Sequence, residues 1–183
     1  MVLSILQWNA RSSIANGQEL KCYIRDTLDN PHLICIQETW LKPQLDFVIY
    51  GYLSVRKDRE NGTGGGVAIF VREDVQFRIV EIEKEELVGI EMWTGGKRFM
   101  VVNFYNPCKR LDYTSLVEVN SDLQGGVIWT GDFNAHSTMW GCVDTDVNGQ
   151  IIEDFLDEAG LVCLNDGQGT RYNCKNNTES AMI

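Results

Sequence analysis

The sequence of 183 residues lacks any apolar run long enough to cross a lipid bilayer, which takes about 20 consecutive residues. Its first ten residues, MVLSILQWNA, lack the basic flank and cleavage site of a secretory signal, so we predict no signal peptide and no membrane partner. Internal repeats, linkers and low-complexity segments are also missing. These absences favour a single domain over residues 1–183, which at this length would bury roughly 70% of its unfolded surface.

The cysteines include no closely spaced pair. The six lie at Cys22, Cys35, Cys108, Cys142, Cys163 and Cys174. Their spacing fits neither a zinc site nor the disulfide framework of a small secreted domain. We therefore expect free thiols in a reducing, intracellular compartment.

Positive charge is scarce, since 16 Lys and Arg face 26 Asp and Glu and the net charge is -10. This deficit argues against broad, sequence-blind binding of nucleic acid, which needs many basic side chains on one face. It allows a local basic rim around an acidic metal site, because a bound cation reverses the local sign of the field. Both interpretations stay open at this point.

Alternating and apolar stretches predict many short strands and three helices. The strands are expected in LSILQW, HLICIQET, GVAIFVRED, VQFRIVEIE, the hairpin LVGIEMW to RFMVVNFYNP, GVIWTGD, LVCLND and GTRYN, with a short one near Val48. The helices are expected in GQELKCYIRDTLDN, from Leu111 to Leu123, and from a cap at Asn148 to a stop at Gly160. This pattern predicts the α/β class, as a four-layer sandwich of two mixed sheets packed face to face with helices outside.

In the stretch VIWTGDFNAH, an apolar run ends and is followed by polar residues at every second position. Residues two apart share a face of an extended chain, so Asp132 and Asn134 would project together, with His136 next. A carboxylate beside an amide suits orienting a water while donating a hydrogen bond to an anionic oxygen. The alternative is an Asx-rich turn, which the spacing alone slightly favours.

Three other predicted strands end in polar groups of similar chemistry. One ends in Asn9, a second ends in Gln37 and Glu38, and a third carries Asn103 and Tyr105 on one face. Carboxylate, amide and phenol groups hold a hard cation and a phosphate, and Mg²⁺ takes one or two carboxylates while retaining waters. Each strand end alone is more simply explained by capping, but four together indicate a shared site.

Five ordered motifs, QWNAR, IQETWL, GGGVAIFVR, VVNFYNP and GDFNAHSTMWG, resemble the exonuclease–endonuclease–phosphatase superfamily. More narrowly, they are similar to the apurinic/apyrimidinic-type endonuclease domain of non-LTR retrotransposons. The resemblance implies a DNase I-like fold and hydrolysis of a DNA phosphodiester, assisted by Mg²⁺ or Mn²⁺, that leaves a 3′-hydroxyl and a 5′-phosphate. It also implies DNA as partner, a reverse transcriptase downstream in the same polyprotein, and a nuclear location.

The same resemblance carries roles to matching positions. Glu38 matches the glutamate that binds the metal, Asn9 matches the amide beside it, and Tyr105 matches the tyrosine that contacts the scissile phosphate. Asp132 matches the aspartate that orients or deprotonates the attacking water. Asn134 matches the amide that steadies the developing phosphorane charge.

Basic loop residues near these strand ends are candidates for a phosphate-facing rim. We predict substrate contacts for Arg11, Lys109 and Arg110, and we interpret His136 as loop structure or substrate rim. Further rim candidates are Lys42, Arg56, Lys57 and Arg59. A solvated loop charge is the simpler interpretation for any one of them. Trp40 and Trp140 either stack on bases or fill gaps under loops.

The superfamily continues, after the position of Ile183, with an aspartate-bearing strand and a Ser-Asp-His motif. We therefore expect a C-terminally truncated domain whose last strands are missing, with weak or no activity alone. Its exposed sheet edge could pair with another chain as an oligomer. The alternatives are a catalytically incomplete binding or scaffold remnant, or a phosphatase of the same superfamily acting on a phosphorylated lipid or inositol.

Overall fold

The computed structural model describes residues 2–26, 30–122, 125–169, 171–173, 178–180 and 183. The chain divides into two compact units, the first made of Met1–Tyr105 with Gln124–Gly131 and the second of Asn106–Leu123 with Asp132–Ile183. The longest helix in the described part of the chain has 14 residues, and none is long and apolar enough to span a membrane. The prediction of one domain over residues 1–183 stays a prediction.

The first sheet of the first unit has four strands in the order β1-β2-β4-β3. Strand β1 (Ile5–Asn9) pairs in parallel with β2 (Leu33–Gln37). Strand β4 (Val67–Arg72) then pairs antiparallel with both β2 and β3 (Tyr52–Lys57). Because the central strands β2 and β4 are covered on both faces, their sequences LICIQ and VAIFVR are almost continuously apolar and buried.

The second sheet of this unit has the order β5-β6-β7-β8. Strands β5 (Phe77–Val80), β6 (Leu87–Thr94) and β7 (Lys97–Tyr105) pair antiparallel, and β8 (Gly126–Asp132) follows β7. The predicted hairpin is confirmed, because Gly95 and Gly96 both adopt the positive φ angles that a tight turn between β6 and β7 requires. Strand β8, predicted as buried, is only half-buried.

The two sheets pack face to face, as predicted. Alternate residues of β2 and β4, such as Leu33 and Ile69, join Ile90 and Val101 of the second sheet in one core. Each fully buried aliphatic side chain of this core contributes about 2 kcal/mol relative to exposure. The opposite face of the first sheet is covered by helix α1 (Ser13–Asp26), which forms the outer layer.

The stripe predicted for this helix is confirmed in part: α1 buries Leu20 and Ile24 against the first sheet, whereas the stripe residue Tyr23 is 56% exposed. The stripe positions Thr27 and Leu28, which were part of the same prediction, lie outside the described residues.

The second unit contains helices α2 (Tyr113–Asp122) and α3 (Val147–Ala159), a 3₁₀ helix at Thr138–Trp140, and the short antiparallel pair β9 (Arg171–Asn173) and β10 (Thr178–Ser180). The Tyr113 hydroxyl on α2 donates to the Glu158 carboxylate on α3. This hydrogen bond raises the pKa of Tyr113 to about 12, because the nearby carboxylate disfavours the phenolate.

Helix α3 begins two residues earlier than the predicted cap at Asn148 implies, and its cap is a different residue. Asp146, not Asn148, is the N-cap, because the Asp146 side chain accepts from the Gly149 N–H at 2.7 Å. Asn148 lies inside the first turn, where its side-chain amide accepts from the Leu111 N–H and donates to the Lys109 carbonyl. The predicted stop at Gly160 is confirmed by its left-handed conformation.

Three strand predictions were wrong. The segment LVCLND at residues 161–166 and the segment near Val48 form no strand in the described structure. The strand β3 was missed, because its basic end and the charged glycine-rich segment after it suggest a loop. An alternating pattern indicates which residues suit a strand. A strand forms only where a neighbouring strand offers matching hydrogen bonds.

Candidate active site

The ends of the parallel strands β1 and β2 bring an amide and a carboxylate together. The register places Asn9 opposite Gln37, so that Glu38, the next residue, follows at the same edge of the sheet. The Asn9 Nδ2 donates to Glu38 Oε1 at 2.9 Å. The Asn9 Oδ1 accepts from the Arg11 N–H at 3.3 Å. The two residues predicted to hold a metal are therefore in direct contact.

The turn after β2 holds Glu38 in an unusual backbone conformation. Glu38 and Trp40 have positive φ angles of 51° and 55°, a region that costs an L residue about 1–2 kcal/mol. Hydrogen bonds to the glycine-rich loop compensate, since the Thr39 N–H donates to the Gly66 carbonyl at 3.1 Å and the Trp40 N–H to the Gly65 carbonyl at 2.9 Å. Strain held in place this way is typical of functional sites.

The carboxylate of Glu38 is oriented by a second donor. The indole Nε1–H of Trp40 donates to Glu38 Oε2 at 3.2 Å, on the oxygen that Asn9 does not contact. Both oxygens of the carboxylate therefore have a fixed direction before any ligand binds. Such preorganisation reduces the entropy cost of holding a cation or a substrate.

A buried polar network lies between the two sheets near this edge. Asn103 of β7, which is fully buried, donates through Nδ2 to the carbonyls of Ile36 at 3.0 Å and Ala68 at 2.9 Å. The Gln37 Nε2 donates to Asn103 Oδ1 at 2.6 Å, and Gln7 donates to Gln37. Asn103 thus ties the second sheet to the first, a structural role that its sequence position beside Tyr105 did not reveal.

Tyr105 is connected to the turn at Glu38 through the buried residue Glu86. The Tyr105 N–H donates to the Glu86 carbonyl at 2.9 Å. The Glu86 carboxylate accepts from the Gly66 N–H at 2.7 Å and from Arg59 Nε at 2.5 Å. The Arg59 guanidinium also lies 5.9 Å from the centre of the Tyr105 ring. Because Glu86 lies in the acidic run EIEKEE, sequence analysis missed it.

In the second unit, Asp132 and Asn134 form a turn instead of a continued strand. Asn134 has a positive φ of 47°, so the alternation predicted past Gly131 does not continue. The Asn134 N–H donates to Asp132 Oδ1 at 3.1 Å, the arrangement of an Asx turn. The turn keeps the carboxylate and the amide close together, and the alternative interpretation of this spacing is confirmed.

Three asparagines fix the loops of the second unit. Sequence analysis did not predict this role for two of them, Asn106 and Asn148. The Asn134 Nδ2 donates to the Asn106 carbonyl at 2.6 Å, and the Asn106 Nδ2 donates to the Phe133 carbonyl at 2.8 Å. The Asn148 Nδ2 donates to the Asn134 carbonyl at 3.1 Å and to the Lys109 carbonyl at 2.9 Å. The segments containing Asp132, Asn134 and Lys109 are therefore held together.

The predicted substrate-contacting residues lie in loops of the two units. Arg11 is exposed beside Asn9, and Lys109 and Arg110 are exposed after Asn106. His136 is paired with Asp146 mainly through its backbone, since its N–H donates to Asp146 Oδ1 at 3.3 Å and its carbonyl accepts from the Asp146 N–H at 3.0 Å. This arrangement supports a role in loop structure for His136. Contact of these four residues with substrate stays a prediction.

The rim candidates Lys42, Arg56 and Lys57 donate hydrogen bonds to backbone carbonyls of neighbouring loops. Lys42 donates to the carbonyls of Arg59 and Gly62, and Lys57 to those of Ile82 and Lys84. Arg56 donates to the carbonyl of Leu45 at 2.8 Å and pairs with Asp58 at 3.4 Å. These side chains build the loops around the Glu38 turn, in addition to any charge they present.

The donor set at Glu38 and Asn9 fits a magnesium-type ion. It offers hard oxygen ligands, with one carboxylate, and Mg²⁺ is usually held by one or two carboxylates with several waters retained. No group of three or more His, Cys, Asp or Glu side chains suited to a metal occurs in the described part of the chain. With one carboxylate and one amide oxygen, the pair of Glu38 and Asn9 suits an ion that keeps several of its waters.

The five residues predicted to form one site are divided between the units. Asn9, Glu38 and Tyr105 belong to the first unit, whereas Asp132 and Asn134 belong to the second. Within each unit the structure brings its members into direct or linked contact. The gathering of all five around one cation stays a prediction.

The fold and the polar strand ends define the class of the protein. Two four-stranded sheets packed face to face, with a helix on the outer face, form the predicted DNase I-like α/β sandwich. The chain belongs to the endonuclease/exonuclease/phosphatase family, whose model matches residues 6–183. The resemblance inferred from the five motifs is thereby confirmed.

Similar proteins include a transposon protein and several structures. A probable RNA-directed DNA polymerase from transposon BS of Drosophila melanogaster is 25% identical over 177 residues, which are 93% of this chain and 19% of that protein. The chain thus spans about a fifth of the length of that relative.

Structures of the same fold come from retrotransposons and bacteria. The endonuclease domain of TRAS1, a telomere-specific non-LTR retrotransposon, superposes with a TM-score of 0.76 at 23% identity, covering 97% of this chain and 81% of that one. The 3′ phosphatase NExo from Neisseria, bound to a product DNA hairpin, has a TM-score of 0.62 at 22% identity, covering 85% and 71%. At these identities, the likeness shows a shared fold.

Proposed function

We propose that the chain is a metal-dependent endonuclease that hydrolyses DNA phosphodiesters and leaves a 3′-hydroxyl and a 5′-phosphate. The observation that carries the proposal is the pair of Asn9 and Glu38, joined at 2.9 Å at the ends of adjacent parallel strands and held there by a strained turn. The similarity to the TRAS1 endonuclease domain supports DNA as the substrate.

Each residue has a role in this reaction. Glu38 and Asn9 would hold Mg²⁺ or Mn²⁺, which when bound supplies a Lewis acid and a template for the phosphodiester. Tyr105 contacts the scissile phosphate through its phenol. Asp132 orients a water and accepts its proton as the water oxygen bonds to phosphorus. The bond from phosphorus to the 3′ oxygen breaks, and that oxygen takes a proton from a solvent water and leaves as the 3′-hydroxyl.

Asn134 has the chemistry to stabilise the charge that develops on the phosphate oxygens. Its amide nitrogen carries two N–H donors, and the bond to the Asn106 carbonyl uses one of them. Donors fixed in direction before the reaction stabilise a developing oxyanion most effectively. The asparagine network of the second unit supplies that fixed direction.

We further propose that the cut serves retrotransposition. The relative from transposon BS is named as an RNA-directed DNA polymerase, so a reverse transcriptase in the same polyprotein would use the 3′-hydroxyl of nicked target DNA. This role would place the chain in the nucleus.

A nicking assay on supercoiled plasmid tests the proposal. We expect the chain to nick plasmid slowly, giving open circle with Mg²⁺ but not with EDTA, and DNA ligase to reseal the nick, because ligase requires a 3′-hydroxyl and a 5′-phosphate. Glu38→Gln and Asp132→Asn should each reduce the rate at least ~100-fold. Glu73→Gln, which neutralises an exposed carboxylate outside the site, should leave it unchanged. Equal nicking by the wild-type chain and Glu38→Gln would overturn the proposal.

A phosphatase is the second candidate, because the structure of NExo that shares the fold is named a 3′ phosphatase. Release of inorganic phosphate from 3′-phosphorylated DNA, without plasmid nicking, would favour it. DNA binding without either reaction would favour a binding remnant.

A further inference from the structure

Trp40 is a large aromatic residue that lies partly exposed beside the candidate metal-binding carboxylate. Its side chain is 44% exposed, whereas Trp140 is fully buried and donates its Nε1–H to the Ala135 carbonyl. The two tryptophans considered for base stacking therefore differ in role. Trp140 fills an interior position, and Trp40 presents part of its indole to solvent two residues after Glu38.

The exposed indole of Trp40 is held in one orientation. Its Nε1–H is tied to Glu38 Oε2 at 3.2 Å, and its backbone N–H is tied to the Gly65 carbonyl at 2.9 Å. Gly64 lies against the indole, since a Cβ there would come within 3.3 Å of Nε1. A single exposed apolar side chain needs no explanation, but three constraints on an exposed ring make a rigid surface on which a flat ligand can stack.

The basic side chains around this turn already form hydrogen bonds and an ion pair within the protein. Lys42 and Lys57 donate to backbone carbonyls of neighbouring loops, and Arg59 is paired with the buried Glu86. The net charge of the whole chain is -10. On a chain with this net charge, a contact that does not depend on charge would add to DNA binding on this side of the first unit.

We propose that Trp40 stacks on one unpaired nucleobase of the DNA substrate, next to the phosphate that is cut. This inference rests on the proposed endonuclease function and adds the substrate feature that the site recognises. In an intact duplex both faces of a base are covered by its neighbours, so only a terminal, unpaired or extruded base offers a face to an indole. The chain therefore prefers DNA with an unpaired base near the scissile bond over fully paired DNA.

Three substitutions separate stacking from a mere orienting of Glu38. Trp40→Phe keeps an aromatic face and removes the N–H donor. Trp40→Gln keeps an N–H donor for the carboxylate and removes the face. Trp40→Ala removes both. Trp93→Ala is the matched control, because Trp93 is 41% exposed on β6 in the same unit.

Binding is measured in EDTA, so that no DNA is cut, with an oligonucleotide duplex that carries one unpaired 2-aminopurine. We expect the wild-type chain to quench 2-aminopurine fluorescence and to bind this duplex more tightly than its fully paired form. Trp40→Ala and Trp40→Gln should weaken binding ~10-fold and abolish the quenching, whereas Trp40→Phe should retain most of the affinity. Trp93→Ala should match the wild-type chain.

Salt dependence gives an independent readout. Loss of stacking should lower affinity by the same factor at every salt concentration, because no phosphate contact is removed. If Trp40→Gln binds like the wild-type chain and Trp40→Phe binds like Trp40→Ala, Trp40 only orients Glu38 and the inference is overturned.

The failure of this inference can be told apart from the failure of the proposed function. Plasmid nicking by the wild-type chain together with unchanged oligonucleotide binding by Trp40→Ala would remove the stacking role and leave the endonuclease. Trp40-dependent binding and quenching in a chain that never nicks plasmid would support the stacking role and remove the endonuclease.

Discussion

The buried carboxylate of Glu86 should be a sensitive polar position of the first unit. It accepts from Arg59 Nε at 2.5 Å and from the Gly66 N–H at 2.7 Å, and only 7% of its side chain is exposed. Replacing Glu86 by Ala removes both acceptors at once. The Tyr105 N–H keeps its bond to the backbone carbonyl of residue 86, so only the bonds to Gly66 and Arg59 are lost.

The expected cost of Glu86→Ala follows from these contacts. Breaking a buried ion pair costs about 3–5 kcal/mol, but the Arg59 side chain is 23% exposed and recovers part of its hydration, which reduces this share to about 2–3 kcal/mol. The unpaired Gly66 N–H adds about 1–2 kcal/mol. We expect the free energy of unfolding to fall by about 4 kcal/mol, and by about 2 kcal/mol in Glu86→Gln, which keeps one acceptor.

Urea denaturation followed by circular dichroism measures this loss, and thermal melting should show a Tm lower by roughly 12 °C for Glu86→Ala. The matched control is Asp26→Ala, which breaks the exposed pair of Arg25 and Asp26 and should leave the midpoint unchanged. A loss below about 1 kcal/mol for Glu86→Ala would refute the reasoning, because the hydrogen bonds to the Glu86 carboxylate would then make no net contribution to stability.

Three further predictions concern other positions. Gly131→Ala should lower the free energy of unfolding in urea by about 3 kcal/mol, because its Cβ would lie 2.0 Å from the Phe104 carbonyl oxygen; the control Gly51→Ala, at a φ of 81° against 144° for Gly131 and with open space around its Cβ, should cost only about 1 kcal/mol, and equal costs would show that contact plays no part. Burial raises the pKa of Cys35 from 9.0 to about 12, so its contribution to stability is complete below pH 9 and is lost as the pH rises through 12; unfolding curves of Cys35→Ala should lack this alkaline decline, and an identical decline would contradict the assignment. The double substitution of Lys109 and Arg110 by Ala should weaken DNA binding and lower the slope of log affinity against log salt by about 2, whereas an unchanged slope would exclude both from phosphate contact.

Much of the first unit could be predicted from local patterns. The apolar strands β2 and β4, the hairpin of β6 and β7 and the apolar face of α1 follow from periodicity, because these patterns state which side of an element meets the core. The candidate residues Asn9, Glu38 and Tyr105 also stand out, since each follows an apolar run at a strand end. Strand β3 was missed because an edge strand with one partly buried face carries a weak pattern.

The sequence by itself determined the family, the sandwich class and the residue types at the strand ends, because periodicity and ordered motifs are local properties of the chain. Only the tertiary structure decided that Glu86 joins Arg59 and Gly66, and that Asn148 holds the loops at Asn134 and Lys109. It also decided that Asn134 closes a turn where alternation predicted a strand. The physical reason is that a polar group finds its partner among residues distant in sequence, and strand order and register determine which donors and acceptors meet.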